Sequence, residues 1–124
     1  MKKEKFWITL VRRYHKLVFD FEEVTGYTEE FRDWDGYAIK IGVYRRGKEW
    51  IPTEISTGSA ISMICGKTRK ETFEKITDKT IGDIRVSLKH SKIMRQAAAE
   101  LKKFISAREK QKSAMPGSPD TAQK

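Results

Sequence analysis

Apolar residues near the start of the chain recur at spacings of three and four: Trp7, Leu10, Val11, Tyr14, Leu17, Val18 and Phe21. That is the stripe of an amphipathic helix, with Lys3, Arg12, Arg13 and Lys16 mostly elsewhere on the wheel. The spacing predicts a first helix over residues 3–23, its aromatic side chains packing into a core. Thr25-Gly26 breaks the pattern, and residues 22–35 form an acidic segment ending in the turn-like Asp33-Trp34-Asp35-Gly36. Beyond it the period drops to two. Tyr37, Ile39, Ile41 and Val43 alternate with small or polar residues, and Ile51, Thr53 and Ile55 do so again after Arg45-Arg46-Gly47-Lys48, the signature of a hairpin. Keeping one face apolar requires a three-residue loop of Arg45, Arg46 and Gly47, with Ile41 facing Ile51. Tyr44 and Trp50 then lie together on the face away from the core. Pro52 lacks a ladder donor, which predicts an edge or a bulge there.

Thr57-Gly58-Ser59 marks a further turn, and Ile61, Met63 and Cys65 predict the buried face of a third strand that Gly66 ends. Thr68 and Glu71 match a capping box, opening a helix whose Phe73 and Ile76 point inward. Residues 78–90 read as either a strand or a helix, and the helical reading, broken near Gly82, is preferred. Ile93, Ala97, Leu101, Phe104 and Ile105 predict a last helix over residues 91–110. Pro116, Gly117 and Pro119 mark residues 113–124 as a disordered tail. The expected architecture is one α+β domain over residues 1–112. It has a three-stranded antiparallel sheet with helices on one face (an α-β-β-β-α core) and a long C-terminal helix.

Composition narrows the function classes. A chain of 124 residues suits one modest core, and 38% apolar against 35% charged residues gives a folded domain with a heavily charged surface. Cys65 is the only cysteine, so the chain has no intramolecular disulfide, and a reducing cytoplasm is the expected compartment. The apolar run at residues 6–11 stops at Arg12-Arg13, too short for a signal sequence or a membrane span. No membrane association is expected. Asp33-x-Asp35-Gly36 shares the opening of a calcium loop, but the acid needed at loop position twelve falls on Tyr44. His15 and His90 are the only histidines, and no nucleophile elbow, phosphate loop, dinucleotide glycine pattern or metal-ligand spacing occurs. The reading is therefore a non-enzyme with no catalytic residues, no cofactor and no metal. Cys65 is expected to be a small buried hydrophobe.

The net charge of +9 points instead to a polyanionic partner. It is segregated: residues 19–36 carry seven acids against one base, while residues 1–18 carry six bases against one acid. In Gly66-Lys67-Thr68-Arg69-Lys70-Glu71 a helix start is ringed by cations, which suits phosphate. The same residues also fit an ordinary capped surface helix, since Glu71 competes for the amide donors. Arg45, Arg46 and Lys48 project from the hairpin tip, and Tyr44 with Trp50 would offer bases a stacking surface beside them unless a helix covers that face.

The strand-strand-strand-helix order over residues 36–76, with basic residues opening the helix, resembles the double-stranded-RNA-binding domain. It also resembles the arm-binding domain of phage-type integrases. The first resemblance implies that Gly66, Lys67, Arg69 and Lys70 grip phosphates. Residues 50–71, with a Thr-Gly turn and a Gly-x-Thr-Arg-Lys-Glu ending, further resemble small accessory proteins of phages and integrative elements. The expected function is non-catalytic binding of DNA or RNA through Lys67, Arg69, Lys70, Arg45, Arg46, Lys48, Tyr44 and Trp50. The alternative is a protein-binding module or inhibitor from a phage or mobile element, for example one that blocks a host defence complex.

Overall fold

A computed structural model describes residues 1–13, 16–61 and 64–114. It is an α+β fold. Five strands, β1 (Lys2–Arg13), β2 (Leu17–Arg32), β3 (Ala38–Arg46), β4 (Glu49–Glu54) and β5 (Ser59–Ala60), form one antiparallel sheet in sequential order. Three helices follow: α1 (Arg69–Glu74), α2 (Asp78–His90) and α3 (Lys92–Ala114).

The expected first helix is a pair of long strands, so the three-stranded sheet is corrected to five. β1 and β2 pair along their length, from Lys2 opposite Thr28 to Arg13 opposite Leu17. Both faces of this ribbon are apolar in places. Phe6 and Ile8 pack on one side with Tyr44, while Trp7 and Phe21 meet Phe104 on the other. Two period-two sets superimposed on one strand look like a spacing of three and four. The density of aromatic and β-branched residues (Phe6, Trp7, Ile8, Thr9, Val11) is what favours extended backbone here. The acidic residues from Glu22 to Glu30 accordingly stand on β2 rather than in a connecting segment.

The hairpin register also differs from expectation. Arg46 pairs with Glu49 across a two-residue turn, Gly47-Lys48, and Ile41 faces Glu54 rather than Ile51. Gly47 has φ +66, the left-handed backbone that such a turn requires. This odd register sends Tyr44 and Trp50 to opposite faces. It is tolerated because both faces are covered. One carries Ile39, Ile41 and Val43 under Phe73, Ile76, Ile81 and Ile84 of the helical segment. The other carries Phe6, Ile8, Val24, Tyr44, Ile51 and Ile55.

That second face is enclosed because the sheet curls. Thr9 N donates to Gly58 O at 2.9 Å and Thr9 Oγ1 to Thr57 O at 2.6 Å, so the turn after β4 meets the outer edge of β1. Gly42 makes room for the curl, since a Cβ there would lie 2.8 Å from the Phe6 ring and 2.9 Å from Ile55 Cδ1. The turn is organised by Glu54, only 3% exposed, whose carboxylate accepts from Ser56 N at 2.9 Å, Ser56 Oγ at 2.8 Å, Thr57 N at 3.1 Å and Thr57 Oγ1 at 2.9 Å.

The third strand is short. β5 ends at Ala60, and Ile61 continues only by donating its N–H to Pro52 O at 2.8 Å. Met63 lies outside the described residues, and Cys65 follows the strand, half-buried. Thr68 caps α1 as expected, and Phe73 and Ile76 are buried. Residues 78–90 are helical, capped by a reciprocal Thr77/Thr80 pair. In α3, Ala97 and Leu101 are buried, and Phe104 sits 4.9 Å from the Trp7 ring and 4.8 Å from the Phe21 ring.

Candidate nucleic-acid interface

Two backbone bonds assemble the candidate site. Trp50 N donates to Gly66 O at 2.8 Å and Gly66 N to Trp50 O at 3.3 Å, laying the start of β4 beside the residues that open α1. The hairpin tip and the 67–70 segment, 20 residues apart in the chain, are thereby neighbours. Lys67, Arg69 and Lys70 are exposed there.

The sheet adds what the sequence reading missed. The pairings place Lys3 beside Tyr27, Lys5 beside Thr25 and Arg45 beside Trp50. Strand alternation puts all six on the same face as Ile41, on the part that α1 and α2 leave open. The Arg69 guanidinium lies 4.0 Å from the centre of the Tyr27 ring, and that ring is 6.1 Å from Trp50. Arg69 is thus held over the sheet by a cation–π contact, and Tyr27 and Trp50 are half-buried at its foot. Lys3 and Lys5 were hidden by the helical reading of β1, and Tyr27 by the reading of residues 22–35 as a connecting segment. The usable signal was the parity of Lys3, Lys5 and Trp7 once β1 is a strand.

Among the described residues, Lys3, Lys5, Arg45, Lys48, Lys67, Arg69 and Lys70 form no ion pair. Many of the acids, in contrast, are engaged elsewhere. Glu4 meets Lys40 at 3.1 Å, Glu29 meets the N-terminal amine at 3.3 Å, Asp20 meets Arg12, and Asp35 meets Arg85 at 2.7 Å. The cations of this panel outnumber the acids in the same segments, Glu23, Glu49, Glu71 and Glu74, none of which forms an ion pair with them among the described residues.

Two expectations are corrected. Tyr44 is 6% exposed, packed edge-on to Phe6 at 6.2 Å inside the curl, and offers no stacking surface. Burial pushes its phenol pKa up. Arg46 belongs to the other face, where it pairs with Glu22 at 3.2 Å and lies over the Tyr44 ring. At the helix start Glu71 N donates to Thr68 Oγ1 at 3.0 Å, and Lys67 N donates to Glu71 Oε1 at 2.7 Å, so a carboxylate already stands among these donors. The α1 start offers a phosphate the exposed Lys67, Arg69 and Lys70 side chains, with the Glu71 carboxylate beside them.

No group of three His, Cys, Asp or Glu side chains suited to a metal occurs among the described residues. Burial raises the Cys65 thiol pKa, which leaves the thiolate scarce. His15 lies outside the described residues, and His90 ends α2. No helix among the described residues is long and apolar enough to cross a membrane. No family model, curated protein or solved structure matches the chain.

Proposed function

We propose that this protein binds nucleic acid without catalysis, through the open sheet panel and the start of α1. One observation carries the reading: Lys3, Lys5, Arg45 and Arg69, none of them in an ion pair among the described residues, border a half-exposed Tyr27–Trp50 pair on one sheet face, and Lys48, Lys67 and Lys70 stand in the segments that adjoin it. Lysine and arginine around such a surface supply phosphate contacts, and the aromatic pair supplies an apolar floor for sugar or base. Arg69, steadied by Tyr27, reaches a phosphate at less entropic cost than a free surface side chain. Arg45 and Lys48 extend the contact to the hairpin tip.

Fluorescence anisotropy on labelled DNA and RNA duplexes and single strands, across several salt concentrations, tests this. Replacing Lys67, Arg69 and Lys70 together by Ala should weaken binding and flatten the log–log salt slope by about one unit per lost phosphate contact. Lys3→Ala with Lys5→Ala should do the same, whereas Arg46→Ala should change little. A wild type that binds none of these probes at physiological salt, or a triple variant that keeps wild-type affinity and slope, rejects the reading.

A further inference from the structure

The open sheet panel is walled on two sides, and an arginine caps an aromatic ring at each wall. On one side Arg69, at the start of α1, lies 4.0 Å from the centre of the Tyr27 ring. On the other, α3 packs on the same sheet face. Phe104 sits 4.9 Å from the Trp7 ring, and the Arg108 guanidinium lies 5.3 Å from the centre of that ring. Arg108, like Arg69, is exposed and forms no ion pair among the described residues. Tyr27 pairs with Lys3, and Trp7 lies four residues further along β1, which sets the two capped rings about 13 Å apart on the sheet. Between them runs a trough.

Its floor has an order across the strands. The middle line, on β2, reads Tyr27, Thr25 and Glu23: a ring, a hydroxyl and an exposed carboxylate in no ion pair among the described residues. The cations stand to the sides, Lys3 and Lys5 on β1 and Arg45 on β3, where Arg45 pairs with Trp50. A duplex suits this poorly on two counts. It is broader than the trough, its major groove alone spanning about 12 Å. It also turns phosphates outward and keeps its base faces stacked, so it would bring phosphate to Glu23 and leave the rings unused. A single strand can do the reverse. Its unstacked bases meet the aromatic rings, their amino groups find an acceptor in Glu23, and its phosphates reach the flanking cations.

We infer that the trough between α1 and α3 takes single-stranded nucleic acid. The bases turn to the Tyr27–Thr25–Glu23 line, and the phosphates lie against Lys3, Lys5, Arg45, Arg69 and Arg108. This rests on the nucleic-acid reading above and narrows it to one strand, and it adds α3 to the site through Arg108.

Fluorescence anisotropy at physiological salt tests the inference with three probes of equal length, in DNA and in RNA form: a labelled mixed-sequence single strand, its duplex, and an abasic strand that keeps every phosphate. Wild type should bind the single strand at least about tenfold more tightly than either the duplex or the abasic strand, since stacking is worth about 1–3 kcal/mol per base. Arg108→Ala, shown to be folded by circular dichroism, should weaken single-strand binding about three- to tenfold and flatten its salt slope. A duplex bound as tightly as the single strand, an abasic strand bound as tightly as the intact one, or an Arg108→Ala variant with wild-type affinity and slope overturns this inference and leaves the broader nucleic-acid reading standing. The first two comparisons need only the wild-type protein. A wild type that binds none of the probes rejects both.

Discussion

Trp50 and Gly66 exchange both backbone hydrogen bonds, at 2.8 and 3.3 Å, and this two-residue bridge is what brings the β3–β4 turn and the start of α1 to one surface. The close approach depends on glycine. A Cβ at position 66 would stand 2.6 Å from Thr72 Oγ1 and 3.0 Å from Thr72 N, inside the first turn of α1. Gly66→Ala should therefore push α1 off the strand, costing about 1–3 kcal/mol in a denaturant titration. It should also weaken nucleic-acid binding although no cation is removed. A variant as stable as wild type would mean that α1 is not seated against β4.

Glu54 gives a second handle on the curl. It is buried among hydroxyl and amide donors and forms no ion pair among the described residues. Glu54→Ala should cost about 2–4 kcal/mol, because the Ser56 and Thr57 donors lose their acceptor in a buried turn. Glu54→Gln should cost less, and Thr9→Ala should be non-additive with Glu54→Ala, since Thr9 bonds to the turn that Glu54 shapes. Strict additivity of the two would show that the turn and the edge of β1 are independent.

The C-terminal half of the fold was legible because its signals are local. Thr68 caps α1 as expected, although Glu71 reaches back to Lys67 N rather than to Thr68 N, and Phe73, Ile76, Ala97 and Leu101 sit inward at the positions their spacing dictates. The N-terminal half was not, because its pattern depends on what covers it. Trp7 and Phe21 are apolar on account of Phe104, more than eighty residues later, and that distant partner erases the alternation of β1. The hairpin register misled for the same reason: requiring one apolar face is valid only when the other is wet. Of the candidate site, the cations at 45, 48, 67, 69 and 70 were visible as charge, whereas Lys3, Lys5 and Tyr27 join them only through strand pairing.

Acid should loosen the β2–β3 loop. A hydrogen bond with Asp33, and then the Arg85 guanidinium, hold the Asp35 carboxyl low, at about 2. A carboxyl depressed in the folded state adds stability that is fully present above its unfolded value, near 3.9, and is lost as pH falls through the folded one. Wild type should therefore lose its advantage over Asp35→Asn between about pH 4 and pH 2, and keep it constant above that window. Denaturant midpoints of the two proteins measured across that range check this. A gap that persists unchanged at the acid end would separate the loop's stability from the Asp35 charge.

Two glycines make opposite predictions from one substitution. Gly26 lies in β2 where a Cβ would overlap the Val43 carbonyl oxygen and approach the Phe6 ring at 3.1 Å. Neither can move without opening the sheet, so Gly26→Ala should cost on the order of 3 kcal/mol or more. Gly82 is inside α2, and a Cβ there meets nothing within 4 Å. Gly82→Ala should stabilise the protein by about 0.5–1 kcal/mol, because alanine loses less backbone freedom in a helix, and should raise the melting temperature by a few degrees. The pair also separates the two readings of each region. If residues 3–23 were a helix followed by a loose segment, Gly26→Ala would be nearly silent, and if residues 78–90 were a strand, Gly82→Ala would bring no helical gain.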